Sequence, residues 1–241
     1  MLTAFGVKVG REGATASVRG GQVLRAARVD VPADISSAAF FLVAAAICPG
    51  SDLVLRHVGM NPTRTGVLHV LRAMGADITE SNPQLVGGEP VADLHVRGGR
   101  LKGITIDPAW VPLAIDEFPA LFIAAACAEG VTELRGAEEL RVKESDRIQV
   151  MADGLAAVGL PVTVLPDGMR IEGRGGEAHP FAGGTVEAHG DHRIAMSFTV
   201  AALRSRGPIH VRDTANVGTS FPGFVALARS VGLDVSVAEG G

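Results

Sequence analysis

Arg141-Val-Lys-Glu-Ser-Asp-Arg147 places three cations and two carboxylates in seven residues. Arg grips a carboxylate or phosphate through its bidentate fork, and Lys meets a phosphate or hydroxyl as a point charge. A Glu among them ionises readily and can relay a proton once a ligand neutralises the cations. The segment therefore has the groups to hold a polyanion and to move a proton beside it. Lys143 and Arg147 lie four apart and Glu144 and Arg147 three apart, so on a helix each pair shares a side. Ordinary ion pairing on a solvated helix start is the competing account.

Two other stretches carry matching features. Asp116 opens Asp116-Glu-Phe-Pro119, where it can cap a helix or accept a proton from a substrate hydroxyl; a cap sits where the helix dipole meets a ligand, so the two roles are compatible. Asp191-His192-Arg193 opens another Ala-rich segment. A lone His there is ordinarily a cap or a satisfied polar group, but Arg193 beside it repeats the pairing of a cation with a helix start. The seven histidines are scattered without metal-ligand spacing, and no P-loop or GxGxxG turn is present.

These residues need elements to position them, and a long-period repeat supplies them. Asp34–Ile47, Asp116–Ala128 and Asp191–Leu203 are Ala-rich segments led by aspartates 82 and then 75 residues apart. They are apolar nearly all round, which predicts buried helices. A second helix family, Thr65–Met74, Ser145–Val158 and Phe221–Val231, ends each time in Gly followed by an apolar residue: Gly75, Gly159 and Gly232. Strands are predicted at Leu53–Val58, Leu94–Arg97, Thr132–Arg135, Met169–Glu172 and Ile209–Arg212, with hairpin turns at Gly-rich pieces such as Gly173–Gly176. The unit of roughly 80 residues is longer than common solenoid repeats. Three such α/β units can close around a pseudo-threefold axis with the Ala-rich helices inside, gathering helix N-termini into an anion site on one face. The first 31 residues read as strands at Phe5–Val9, Ala16–Arg19 and Val29–Val31, with a boundary near Pro32-Ala33-Asp34.

The totals agree with an Ala/Val/Leu/Ile core: 47% of the 241 residues are hydrophobic and only 4% aromatic. A net charge of −4 without like-charge runs argues against nucleic acid as a partner. No apolar run reaches the roughly 18 residues of a membrane span, and Met1–Val9 alternates like a strand rather than a signal peptide. Cys48 and Cys127 lie in apolar stretches and are expected to be buried reduced thiols, which suits the cytoplasm.

Several phrases in register resemble the C-terminal half of the 5-enolpyruvylshikimate-3-phosphate synthase family. They are Met60-Asn-Pro-Thr-Arg-Thr-Gly66, Ile115-Asp-Glu-Phe-Pro119, Glu138-Glu-Leu-Arg-Val-Lys-Glu-Ser-Asp-Arg147, Asp191-His-Arg-Ile-Ala-Met196 and Thr219-Ser-Phe-Pro222. Their wording is similar to the bacterial class that includes glyphosate-tolerant enzymes. The resemblance implies an α/β (α+β) fold of repeated βαβαββ units, one lobe of the enolpyruvyl transferase fold, with residues 1–32 the tail of the N-terminal lobe and 33–241 the C-terminal lobe. It implies transfer of the enolpyruvyl group of phosphoenolpyruvate to the 5-hydroxyl of shikimate 3-phosphate, by addition and then elimination of phosphate. By motif position, Asp116 is the proton acceptor on the shikimate side, Lys143 binds shikimate 3-phosphate, and Glu144 is the proton-transfer carboxylate. Arg147 and Arg193 bind phosphoenolpyruvate, with His192 beside them, and the resemblance implies no metal or organic cofactor.

Two positions depart from other family members: Glu139 stands where some carry Asn, and Thr219 where some carry Lys. A larger departure is that the family's N-terminal half supplies a Lys-Ser pair, an Arg and a Gly-rich loop to the cleft, and the 241 residues contain none of these. The expected partner is that half, without which the chain should be inactive. Two competing readings stand beside this one. A UDP-N-acetylglucosamine enolpyruvyl transferase shares fold and phosphoenolpyruvate but is disfavoured by the Arg141–Arg147 phrase and the absence of a catalytic cysteine loop. A non-catalytic anion-binding or lobe-pairing module would not need Asp116, Glu144 and Arg147 together.

Overall fold

The structure is a computed structural model and describes residues 1–238. Its first segment is mostly exposed and forms one hairpin, β1 (Val9–Glu12) paired antiparallel with β2 (Thr15–Val18). The strands predicted at Phe5–Val9 and Val29–Val31 do not form. Residues 2–6 instead make successive turns ending at Gly6 in the left-handed region, and among the described residues no strand pairs with the backbone of Val29–Val31, which lies exposed. A strand needs a neighbour for its backbone groups.

The first unit follows: α1 (Ile35–Ile47), β3 (Asp52–Gly59), α2 (Gly66–Ala73), β4 (Asp77–Val86) and β5 (Glu89–Arg97). The second repeats it with α3 (Phe118–Ala126), β6 (Glu129–Leu134), α4 (Arg147–Ala157), β7 (Thr163–Leu165) and β8 (Gly168–Arg174). The sheets match strand for strand, β3-β5-β4 and β6-β8-β7, all antiparallel. The third unit contains β9 (Gly184–Glu187), α5 (His192–Ala201), β10 (Ile209–Arg212), α6 (Ala215–Ser220) and α7 (Phe224–Ser230).

In each unit the segment entering the Ala-rich helix runs parallel to the strand leaving it. β9 pairs with β10, Lys102 and Thr105 bridge to β6, and Ala33 bridges to Val58 of β3. This strand–helix–strand crossover packs each helix back onto its own sheet. α1, α3 and α5 then pack on one another, and every residue of α3 is buried. Helices that are apolar all round can be stable only in such an interior.

The helix ends follow the expected chemistry. Asp34, Asp146 and Asp191 accept backbone bonds from Ser37, Gln149 and Arg193 at 2.9, 3.0 and 2.9 Å. Gly75, Gly159 and Gly232 are left-handed (φ 92, 88 and 97°) just beyond α2, α4 and α7, where a Cβ would be strained. The next residue's N–H returns to Leu71, Leu155 and Ala228 respectively.

Other expectations shift. α4 begins at Arg147 because Asp146 caps it, so residues 143–145 form a bend and not helix. The last predicted helix, Phe221–Val231, begins only at Phe224 as α7; α6, which was not predicted, ends before Phe221-Pro222 because proline cannot continue it. Gly175 and Gly176 make a turn that leaves the sheet, since β8 has no hairpin partner beyond them. The apolar residue after each C-cap glycine also signals a strand start: β4 and β7 follow Gly75 and Gly159, but among the described residues no strand follows Gly232, and β9, unmarked in sequence, takes its register from β10. Cys127 is buried, with its thiol pushed up to about 12 by desolvation, while Cys48 is only partly buried.

Candidate active site

The starts of α1, α3, α4 and α5 meet on one face and are joined there by side chains. At the centre lies Arg147, 0% exposed. Its Nε donates to Asp191 at 2.8 Å, its Nη1 to Asp116 at 3.2 Å and its Nη2 to Glu144 at 2.6 Å. Asp191 is also 0% exposed and accepts a further bond from the Ser145 hydroxyl at 3.0 Å. A cation and an anion so deeply placed each need the other, because neither can be hydrated.

The three cations of the Arg141–Arg147 segment divide their work. Arg141 donates to the Leu165 and Pro166 carbonyls and to Asp146, each at 2.7 Å, and so pins the bend onto the loop after β7. Lys143 and Arg147 turn instead toward Asp116. Lys143 Nζ lies 3.3 Å from Asp116 and 2.5 Å from Glu139. Its ammonium is favoured chiefly by the Glu139 bond, which raises its pKa. An anion approaching Lys143 therefore competes with Glu139, one of the two departures noted above. Thr219, the other, is exposed in α6.

Asp116 does not cap α3. The capping position falls to Glu117, whose side chain makes no cap bond, and the Asp116 carboxylate faces the cations instead. Burial works to raise its pKa, but Arg193, Lys143 and Arg147 outweigh it and hold the carboxyl below its ordinary value. Asp191 is likewise held low, its desolvation overcome by Arg147. Asp116 is thus ionised and within reach of two cations. Arg193 donates to the Asp116 backbone carbonyl at 2.9 Å. His192 and Arg193 line a cavity of about 80 Å³ with Ser36, Phe40, Met196 and Phe221.

Burial and then the Arg193 charge push the His192 pKa down, so the imidazole is neutral at pH 7. Its contribution to stability is present above the unfolded histidine value, about 6.5, and is lost as pH falls through that region. NMR titration of the ring is expected to give a midpoint below that of a free histidine; a midpoint at or above it would contradict the burial described.

Sequence reasoning brought Asp116, Lys143, Glu144, Arg147, His192 and Arg193 forward, and the structure gathers all six at these helix starts. It did not pair Asp191 with Arg147, nor single out Glu117, Ser36 and Arg64. Ser36 donates to Glu117 at 2.5 Å, and Arg64 donates to Ser36 at 2.6 Å. Glu117 and Arg64 sat inside quoted phrases, but their partners are 81 and 28 residues away in sequence. A second cavity, of about 290 Å³, opens between Arg64 and Asp116.

Three crossover units with buried central helices, and a charged site at their helix starts, define a lobe of the enolpyruvyl transferase class. The enolpyruvyl transferase NikO from Streptomyces tendae superposes with a TM-score of 0.72 at 21% identity, over 97% of this chain and 51% of that one, a likeness of fold alone. The model of EPSP synthase (3-phosphoshikimate 1-carboxyvinyltransferase) matches residues 1–227, and the chain belongs to that family. It is 63% identical over 237 residues to the 3-phosphoshikimate 1-carboxyvinyltransferase of Methylococcus capsulatus, covering 98% of this chain and 53% of that protein. The EPSP synthase structure from Acinetobacter baumannii superposes with a TM-score of 0.96 at 57% identity, over 99% of this chain and 54% of that one. The chain spans about half the length of the relatives it matches.

Proposed function

We propose that the chain forms one wall of an active site that transfers the enolpyruvyl group of phosphoenolpyruvate to the 5-hydroxyl of shikimate 3-phosphate, releasing phosphate. The observation that carries this reading is the convergence of Asp116, Lys143, Glu144, Arg147 and Arg193. Asp116 takes the proton of the attacking hydroxyl, and Glu144 exchanges a proton with the methylene carbon. Lys143 meets the 3-phosphate, and Arg147 and Arg193 meet phosphoenolpyruvate. All three nitrogens of Arg147 are already held by carboxylates, so substrate binding requires Glu144, half-exposed, to release it. That release separates the Glu144 carboxylate from its cation at the moment proton transfer is needed.

In this reading residues 1–32 belong to the other lobe, and an N-terminal half completes the cleft. The mostly exposed hairpin and the exposed apolar side chains around it, among them Val18, Val23, Leu24 and Val31, support that division. Among the described residues no helix is long and apolar enough to cross a membrane; we place the enzyme in the cytoplasm, without nucleic-acid or membrane partners. Phosphate release from the two substrates tests the reading. The purified chain alone is expected to give none, and adding an N-terminal family half should restore it. Substantial turnover by the chain alone would sink the half-site reading, and substrate binding without turnover after reconstitution would favour an anion-binding module.

A further inference from the structure

Glu117 is a carboxylate that the chemistry above leaves idle. It is 5% exposed, lies directly behind Asp116, and sits between the two cavities of the site. Its place at the start of α3 suggests a helix cap, yet its side chain makes no cap bond. It faces other units instead. Ser36 of α1 donates to its Oε1 at 2.5 Å, and Arg193 Nη1 of α5 lies 3.7 Å from the same oxygen. Behind Ser36 stands Arg64, which also reaches Asp34 at 3.6 Å. The starts of all three central helices therefore meet at one oxygen atom.

We propose that Glu117 is a positioning residue: its carboxylate holds the Arg193 guanidinium in the site and, through the Ser36 hydroxyl, couples it to Arg64. The proposal rests on the functional reading above, in which Arg193 meets phosphoenolpyruvate. Arg193 Nη1 has two nearby acceptors, the Asp116 carbonyl and the Glu117 carboxylate. The carbonyl alone fixes one N–H direction. With the carboxylate added, the planar fork is oriented, and a bidentate anion can meet its remaining edge.

The energetics separate this role from a structural one. Desolvation dominates at Glu117 and outweighs Ser36, Arg193 and Arg64, so its carboxyl titrates above the ordinary Glu value. Ionised Glu117 thus opposes folding: its contribution to stability is greatest below the unfolded Glu value and is lost as pH rises through the folded one. A buried carboxyl whose ionisation costs stability, yet which is held by Ser36 and faced by Arg193 from two other helices, marks a group retained for its position.

Side-chain NMR of the 241-residue chain tests this without substrate. In the wild type, the Arg193 guanidinium signals should show slowed rotation. Glu117→Gln keeps an acceptor for Ser36 and removes the charge. It should speed Arg193 rotation about tenfold, as expected for loss of one partly buried counter-charge at 3.7 Å, leave Arg147 unchanged, and leave the melting temperature equal or higher. Unchanged Arg193 rotation, or a loss of stability with no selective effect on Arg193, overturns the proposal. A second measurement needs no variant. Glu117 titrates above its ordinary value and Asp116 below its own, so in acid the Arg193 signals should follow the Glu117 carboxyl; following Asp116 instead also overturns it. Should Arg193 prove not to bind phosphoenolpyruvate, these signals would be unaffected, so the two failures are distinguishable.

Discussion

Arg147→Ala is expected to destabilise the fold by about 3–5 kcal/mol, the range for breaking one side of a buried ion pair. The mechanism is the state of Asp191 after the change. Both groups are 0% exposed, and without the guanidinium Asp191 keeps only the Ser145 hydroxyl and the Arg193 backbone N–H. Two bonds cannot replace a counter-charge at that depth. Pairing Arg147→Met with Asp191→Asn should therefore recover part of the loss, since the double variant buries no orphan charge while Asn can still cap α5. Denaturant unfolding of the two single variants and the double variant measures this. A cost below about 1 kcal/mol for Arg147→Ala, ordinary for a surface pair, would mean that the pair is hydrated.

Asp116→Asn is expected to lower kcat about 10²–10⁴-fold in the enzyme reconstituted with an N-terminal half, the usual contribution of one positioned general base. Asn preserves shape and a carbonyl acceptor for Arg147 and Lys143 but takes up no proton. The KM for phosphoenolpyruvate should hold or fall, because the variant removes a negative charge that competes for the same cations. Phosphate-release kinetics at saturating shikimate 3-phosphate separate the two constants. A drop in kcat of less than about tenfold would exclude Asp116 as a base of that strength.

Much of this was legible before any coordinates. Apolar Ala-rich runs led by Asp34 and Asp191 become buried, capped helices because composition and cap chemistry act locally. Gly75, Gly159 and Gly232 mark helix ends for the same reason. Asp116 shows where local reasoning stops. Its neighbours favour a cap, but Lys143 and Arg147, contributed by another part of the chain, draw its side chain away from the helix. Glu117 and Ser36 are similar, since nothing within a few residues of either foretells a bond across 81 positions. The strand at Val29–Val31 failed from the opposite cause: its alternation was real, but a strand is made by its neighbour.

At the far ends of the central helices one side chain repeats what Arg147 does at the site. Arg204, 8% exposed, follows α5, and its guanidinium donates to the carbonyls of Ile47, Glu177 and Ala178. It belongs to the third unit, Ile47 ends α1 of the first, and Glu177 and Ala178 follow β8 of the second. A linear array of repeats can fray from its ends, because each member touches only its neighbours. Here the units are clasped at both poles, so no member is terminal and none can be shed alone. The lobe is therefore expected to unfold as a single cooperative body rather than unit by unit.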